Sequence, residues 1–246
     1  MLTLHPDWIL PDWPAPKRIR AIITTRKGGA SRGEFASLNL GQRTGDDPQA
    51  VAANRTRLRG VLPQEPRWLK QVHGSRVVVA DEVTTPPEAD ASVARQPGTV
   101  CAVMIADCLP VLLADASGNV VAAAHAGWRG LAAGVVDATV QAMGAAPDNV
   151  LAYLGPCIGP TAYEVGADVH DAFVAGDPES GPAFSPHRPG KWLADLHMLA
   201  RRALARAGVT RIYGGVQCTY SNPERFYSYR RERTTGRMAA LIWRES

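Results

Sequence analysis

Lysine is scarce in this chain: Lys17, Lys27, Lys70 and Lys191 are the only four, so arginine supplies most of the 27 basic side chains. Set against 23 acidic residues, they leave a formal charge of +4. That is too small to argue for a nucleic-acid surface, and it suits a small anionic substrate. Cysteine is also sparse. Cys101, Cys108, Cys157 and Cys218 form no CxxC pair, and four cysteines in 246 residues exclude a disulfide-stapled scaffold. No apolar run approaches membrane-spanning length. The opening MLTLHPDWILPDWPAPKR lacks the basic segment and apolar stretch of a signal peptide. With 46% hydrophobic and 20% charged residues, the composition is that of a globular protein. The expectation is a reduced, cytoplasmic protein with no membrane or nucleic-acid partner.

Residues 1–18, rich in proline and tryptophan, read as an N-terminal arm, and 19–246 as a single domain. Strands are expected at 19–25, 68–72, 77–81, 100–106, 111–114, 120–124, 150–155, 212–218 and 237–243. Asp47 and Pro48 open a helix to about residue 60, as N-cap and first-turn residue. Further helices are expected over 130–144, 166–174 and 193–208, with Leu196, Leu199, Ala203 and Leu204 facing inward on the last. Segments 82–98 and 176–191 read as polar, proline-containing loops. Strands and helices mix without strict alternation, which predicts α/β (α+β mixed) layers with mixed sheets rather than a doubly wound parallel sheet.

Three of the apolar, glycine- and proline-punctuated stretches carry chemistry: His73 in QVHG, Cys108 in ADCLP and His125 in HAGWRG. One thiolate and two imidazoles make a ligand set suited to Zn²⁺, and three protein ligands leave a fourth tetrahedral position for water or substrate. Each residue is expected at the end of a strand, where different segments of one sheet can converge. Taken singly, each is better explained as a packed core or loop residue. Asp107 adjoins the cysteine, and either orients a ligating histidine or caps a turn.

The blocks QVHGSRVVVAD, ADCLPVLLAD, HAGWRGLAAGVV, GPCIGPTAYEVG and CTYSNPERFYSYRRERTTGRMAALIW, with TTRKGGASRGEFASLNLG before them, resemble one family in order. It is the laccase-like polyphenol oxidase domain family, also described as zinc-dependent purine nucleoside phosphorylase and, in bacteria, as a peptidoglycan editing factor. The resemblance covers about residues 24–243 and implies a layered sandwich, helices outside mixed β-sheets. It implies that His73, Cys108 and His125 are the metal ligands and the catalytic centre. It further implies phosphorolysis of adenosine, inosine, guanosine and methylthioadenosine, and deamination of adenosine. Thr161 and Ala162 stand where the family often has cysteines, which argues against a multi-copper, cysteine-rich site and for Zn²⁺ over Cu²⁺.

In deamination, zinc would lower the pKa of bound water to roughly 7, making a nucleophile for C6 of adenine. Asp107 and Glu164 are candidates for the proton shuttle. For phosphorolysis, Arg26, Arg129 and Arg230 are the candidate phosphate ligands, since each lies in a loop matching a family block. Asn39 is a candidate hydrogen-bonding partner of the substrate, and Tyr227 or Tyr229 of the purine face. The expected partners are thus a purine nucleoside and phosphate, with the chain a monomer or homodimer. Competing readings are a hydrolase editing muramyl-amino acid amides, a metal-free Cys108 nucleophile paired with a histidine, and a copper phenol oxidase. In a binding module with purely structural zinc, a fourth ligand such as His197 would close the site.

Overall fold

The run LPVLLAD, residues 109–115, is buried at every position, and the two directions its side chains take set out the layers. Leu109, Val111 and Leu113 join a core with helical residues such as Val136, Val140 and Leu199. Leu112 and Ala114 instead join a second core with Val103, Ala240 and Ile242. A strand buried on both faces has little use for polar residues, which is why it reads as continuous apolarity.

The computed structural model describes residues 4–246, so the first three residues of the expected arm lie outside the described residues. In chain order the elements are β1 (Ile19–Ile23), α1 (Pro48–Arg59), β2 (Val77–Val79), β3 (Ala91–Ala94), β4 (Cys101–Ile105), β5 (Leu109–Asp115) and β6 (Val121–Ala126). There follow α2 (Trp128–Ala132), α3 (Val135–Met143), β7 (Val150–Leu154), β8 (Glu164–Gly166), α4 (Ala167–Val174), β9 (Phe184–Arg188) and β10 (Lys191–Ala194). The chain closes with α5 (Leu196–Arg206), β11 (Arg211–Gly214), α6 (Tyr229–Glu232) and β12 (Met238–Arg244).

A six-stranded sheet runs β11-β7-β5-β6-β3-β2. It is mixed: β5 is antiparallel to both neighbours, whereas β11 is parallel to β7 and β2 to β3. An antiparallel sheet β1-β12-β4 packs on one face of it. On β12, Met238, Ala240 and Ile242 point into that shared core, while Ala239, Leu241 and Trp243 point outward to meet Leu58 of α1. Helices α3 and α5 cover the other face of the large sheet, completing the expected layered sandwich with helices outside mixed sheets. Strands β8, β10 and β9 form a small third sheet. The arm contributes Ile9, bridged to Ile23, and Trp13, edge-on to Tyr153 at 6.0 Å. No described helix is long and apolar enough to cross a membrane.

Helix α1 starts as expected, with the Asp47 carboxylate accepting from the Gln49 amide at 2.9 Å and Pro48 in the first turn. Helix α5 starts at Leu196 behind the Asp195 cap, and its four expected inward residues are buried. Other expectations change. The polar segment 82–98 contains β3, inserted between β6 and β2 and fully buried. Its residues are mostly small, so it lacks the β-branched signature that marks other strands. Segment 176–191 likewise holds β9 and the start of β10; β9 is polar because four of its five residues face solvent. Residues 68–72 form a single isolated bridge, Lys70 to Glu88, rather than a strand. The helix expected over 130–144 is two helices, because Gly134 adopts a left-handed φ of +83° between α2 and α3.

Candidate metal centre and its cavity

Register brings two of the three expected ligands together. Strands β5 and β6 pair with Leu109 opposite Ala126 and Pro110 opposite His125. Cys108, just before β5, therefore meets His125 at one edge of the sheet. His73 arrives from the turn that precedes β2, on the far side of β3. Cys108 Sγ and His73 Nε2 are 3.8 Å apart, and the two imidazole rings meet edge to face at 4.8 Å. One ligand atom from each residue lies within 4.8 Å of the other two. Metal bonds of about 2.0–2.3 Å put tetrahedral ligand atoms roughly 3.3–3.7 Å apart, so a small side-chain closure lets all three share an ion. Among the described residues this is the one such group. His197 is elsewhere, hydrogen-bonded to the Gly155 carbonyl and against Cys157.

The residue that organises the site is Asp90, which sequence reasoning did not single out. Its carboxylate is fully buried and accepts from His125 Nδ1 at 2.8 Å. It also accepts the amides of Val72, His73 and Gly74 at 3.1, 2.9 and 2.8 Å. Three successive amides converge on it because His73 takes a left-handed φ of 61°. One carboxylate therefore fixes the backbone beneath His73 and the ring of His125 together. Donating through Nδ1–H leaves Nε2 of His125 directed at the shared position. Burial would raise the Asp90 pKa, but the hydrogen bonds from His125, Gly74 and Val72 hold it below the usual carboxylate range.

Asp107, the residue expected either to orient a histidine or to cap a turn, hydrogen-bonds to neither histidine and instead caps the first turn of α6. Its oxygens accept from Thr219 Oγ1, Ser228 Oγ and the Arg230 amide at 2.6, 3.0 and 2.7 Å. It ties the C-terminal loop to the cysteine and has no free oxygen for proton shuttling.

The electrostatics favour the ligand form of the thiol. Burial opposes a charge on Cys108, but His125 and the hydrogen bonds from both histidines pull its pKa down to about 6. Burial likewise opposes a charge on His125, while the Cys108 thiolate and Asp90 raise it to about 9. A thiolate is the form that binds metal.

The triad opens into a cavity of about 610 Å³. Trp68, Leu69, Met104 and Ala106 give it an apolar wall, and Tyr229, 48% exposed, lines it as one of the two expected aromatic faces. The other, Tyr227, is buried, with its hydroxyl donating to the Phe35 carbonyl.

The four expected substrate ligands do not line the cavity. Arg26 donates to the carbonyls of Ala36 and Pro223 and pairs with Glu232 at 3.1 Å, so its guanidinium is committed. Asn39 is fully buried; its side chain holds the Gly41 and Arg237 amides and the Thr44 hydroxyl, and so shapes the loop that does line the cavity. Arg230 donates to the Glu164 carbonyl at 2.8 Å and lies over Tyr163. Arg129 is exposed and stacked on Trp128. Glu164 is held by Arg188 through both oxygens. The cations that line the cavity are Arg43, Arg55, Lys70 and Arg237. Nothing local marks them, because they come from four separated segments that only the fold brings together.

Gly127 caps the approach of β6 to α2 where no side chain fits. A Cβ there would stand 2.9 Å from Cys108 Sγ and 3.1 Å from His73 Cδ2. Gly127→Ala is expected to weaken metal binding by about tenfold or more through displaced ligands, read by competition with a chromophoric chelator. Wild-type affinity in that variant would show that the sulfur and ring have room to move.

Comparison with known proteins agrees with this fold. The family model described as multi-copper polyphenol oxidoreductase laccase matches residues 20–245. A Pseudomonas aeruginosa protein named purine nucleoside phosphorylase is 55% identical over 237 residues, spanning 96% of this chain and 98% of its own. An Escherichia coli protein of the same name is 53% identical over 238 residues, again spanning 96% and 98%. A Neisseria meningitidis crystal structure, 50% identical, superposes with a TM-score of 0.95 over 98% of this chain and 100% of that one. With its sequence blocks, its layers and its near-complete overlap all in accord, this chain belongs to the multi-copper polyphenol oxidoreductase laccase family.

Proposed function

We propose that this protein is a zinc-dependent purine nucleoside phosphorylase, with the metal held by His73, Cys108 and His125. The observation that carries this reading is the three-ligand group opening into a substrate-sized cavity. The relatives named purine nucleoside phosphorylase, at 47–55% identity over nearly the whole chain, support it. One sulfur and two nitrogens suit zinc, and a mononuclear set does not supply the ligands of a multi-copper oxidase. When bound, zinc supplies Lewis-acid stabilisation of developing negative charge.

The chain's own residues supply the rest. Asp90 holds His125 in one tautomer and fixes the turn that presents His73. Tyr229 offers a purine an aromatic face, and the wall of Trp68, Leu69 and Met104 gives it a water-poor surface. In phosphorolysis the bond from C1′ to the purine nitrogen breaks, its electron pair leaves with the base, and an oxygen of hydrogen phosphate bonds to C1′. The proton given up by the phosphate neutralises the departing purine, so the products are the pentose 1-phosphate and the neutral free base. Deamination of adenosine, in which the C6 amino group leaves as ammonia and a water oxygen replaces it, is proposed as a second reaction of the same centre.

Purified protein supplied with inosine is expected to release hypoxanthine only when inorganic phosphate is present, followed by chromatography. Equal release without phosphate would make the enzyme a hydrolase and end the phosphorylase reading.

A further inference from the structure

The cavity carries four cations and no carboxylate in its walls, the Cys108 thiolate being the one anionic group that lines it. Arg43, Arg55, Lys70 and Arg237 line it, and none of the lining residues is an aspartate or glutamate. Elsewhere the arginines close on carboxylates: Arg26 and Arg231 on Glu232, Arg188 on Glu164, Arg202 and Arg206 on Asp177. Among the described residues the four cavity cations form no ion pair.

Two of the four are held in place. Arg55 donates through Nε to the Leu40 carbonyl at 2.9 Å, and its guanidinium lies over the Trp68 ring at 4.4 Å. Arg237 gives Nη1 to the carbonyls of Thr235 and Gly236, and its stem packs so closely on Gly41 that a Cβ there would meet its Cγ at 2.9 Å. The Leu40 amide in turn donates to the Arg237 carbonyl, so both arginines are anchored to the same short segment. Burial lowers the pKa of each. A partly buried cation without a carboxylate is costly until an anion joins it. Arg43 and Lys70 are solvent-exposed and add charge at the mouth. Guanidinium forks match the oxygens of a tetrahedral oxyanion, and an ammonium adds a point charge.

We propose that Arg43, Arg55, Lys70 and Arg237 form an oxyanion subsite that takes a phosphate group, either free orthophosphate or a phosphate carried on the substrate. As the co-substrate site it rests on the phosphorylase reading, but its test needs no turnover. Calorimetric titration of zinc-loaded wild type and the double variant Arg43→Gln/Lys70→Gln would use inorganic phosphate, adenosine 5′-monophosphate and adenosine as probes. Both positions are exposed, so the variant should fold, which thermal unfolding checks. The expected result is a tenfold or greater loss of phosphate affinity with adenosine binding unchanged. If orthophosphate does not bind the wild type but the monophosphate does, and the variant loses it, the subsite stands and its phosphate is substrate-borne. Equal affinities of wild type and variant for both phosphate probes, or no binding of either to the wild type, would overturn the proposal. Phosphate-dependent turnover, measured in parallel, separates the two readings. A subsite that binds phosphate without phosphorolysis removes only the activity, whereas phosphorolysis with an unchanged KM for phosphate in the variant removes only the subsite.

Discussion

Cys108→Ala is expected to purify with bound zinc reduced from about one equivalent to near zero and with nucleoside turnover lowered by about a thousandfold or more. Cys108 supplies the one anionic ligand of the group, and two imidazoles alone make a weaker site. It is also the first of the neighbours that raise His125, so its loss changes the charge state of the remaining ligand as well. The fold should survive, since a small, half-buried side chain at the cavity floor contributes little packing. Mass spectrometry of the metal content, beside circular dichroism and the inosine assay, reads all three effects. Cys218→Ser, altered outside the ligand group, should keep its zinc. A full equivalent of zinc in Cys108→Ala would remove the cysteine from the site. If chelator-stripped wild type kept its activity, Cys108 would be acting as a nucleophile with a histidine base instead.

Asp90→Asn should produce the largest loss of stability from a single polar change. The carboxylate accepts four hydrogen bonds with two oxygens: Val72 and Gly74 on one, His73 and His125 on the other. An amide replaces one of those oxygens with a donor, so two buried N–H groups are left facing an NH₂. At about 1–3 kcal/mol for each unsatisfied buried group, the variant should lose on the order of 3 kcal/mol in urea unfolding. Zinc affinity should fall roughly 10–100-fold, because the His125 ring and the His73 turn both lose their anchor. The folded state holds the Asp90 pKa below its unfolded value. Its contribution is therefore complete above about pH 4 and is lost as pH falls through the depressed folded value. The gap between wild type and variant should be widest between about pH 4 and 6.5, narrowing in acid as Asp90 takes up its proton and again as pH rises toward 9, where His125, which Asp90 helps to raise, loses its own. Wild-type stability and metal affinity in Asp90→Asn would show that the ligands hold themselves in place.

Much of the architecture was legible where local chemistry and tertiary role agree. The Asp47–Pro48 helix start and the apolar run at 111–114, which lies within the strand at 109–115, carry clear signals, because capping and continuous apolarity are local properties. Strand β3 was not legible: Ala91–Ala94 is buried beside residues distant in sequence, Val121–Ala124 of β6, and small residues give no β signature of their own. The polar β9 was hidden for the opposite reason, being an edge strand turned to solvent. The position of Gly134 was readable, but its left-handed break was not, because a glycine inside a helical pattern is usually tolerated there.

The site divides along the same line. The three ligand types, and their place among turns and strand ends, are a matter of residue identity, and residue identity is what a sequence states. Asp90 rather than Asp107 became the anchor because the partner of a buried histidine depends on which strand lies beside it, here β3 against β6. Arg43, Arg55, Lys70 and Arg237 line the cavity, and the expected arginines do not, for a related reason. Whether a guanidinium faces a cavity or a carboxylate is decided by residues distant in the chain, such as Glu232 for Arg26. The sequence by itself determined which groups are available to bind a metal; the tertiary structure decided which carboxylate orients them and which charges line the cavity. Covalent order assigns each side chain its chemistry, but only packing sets the distances over which charge and hydrogen bonding act.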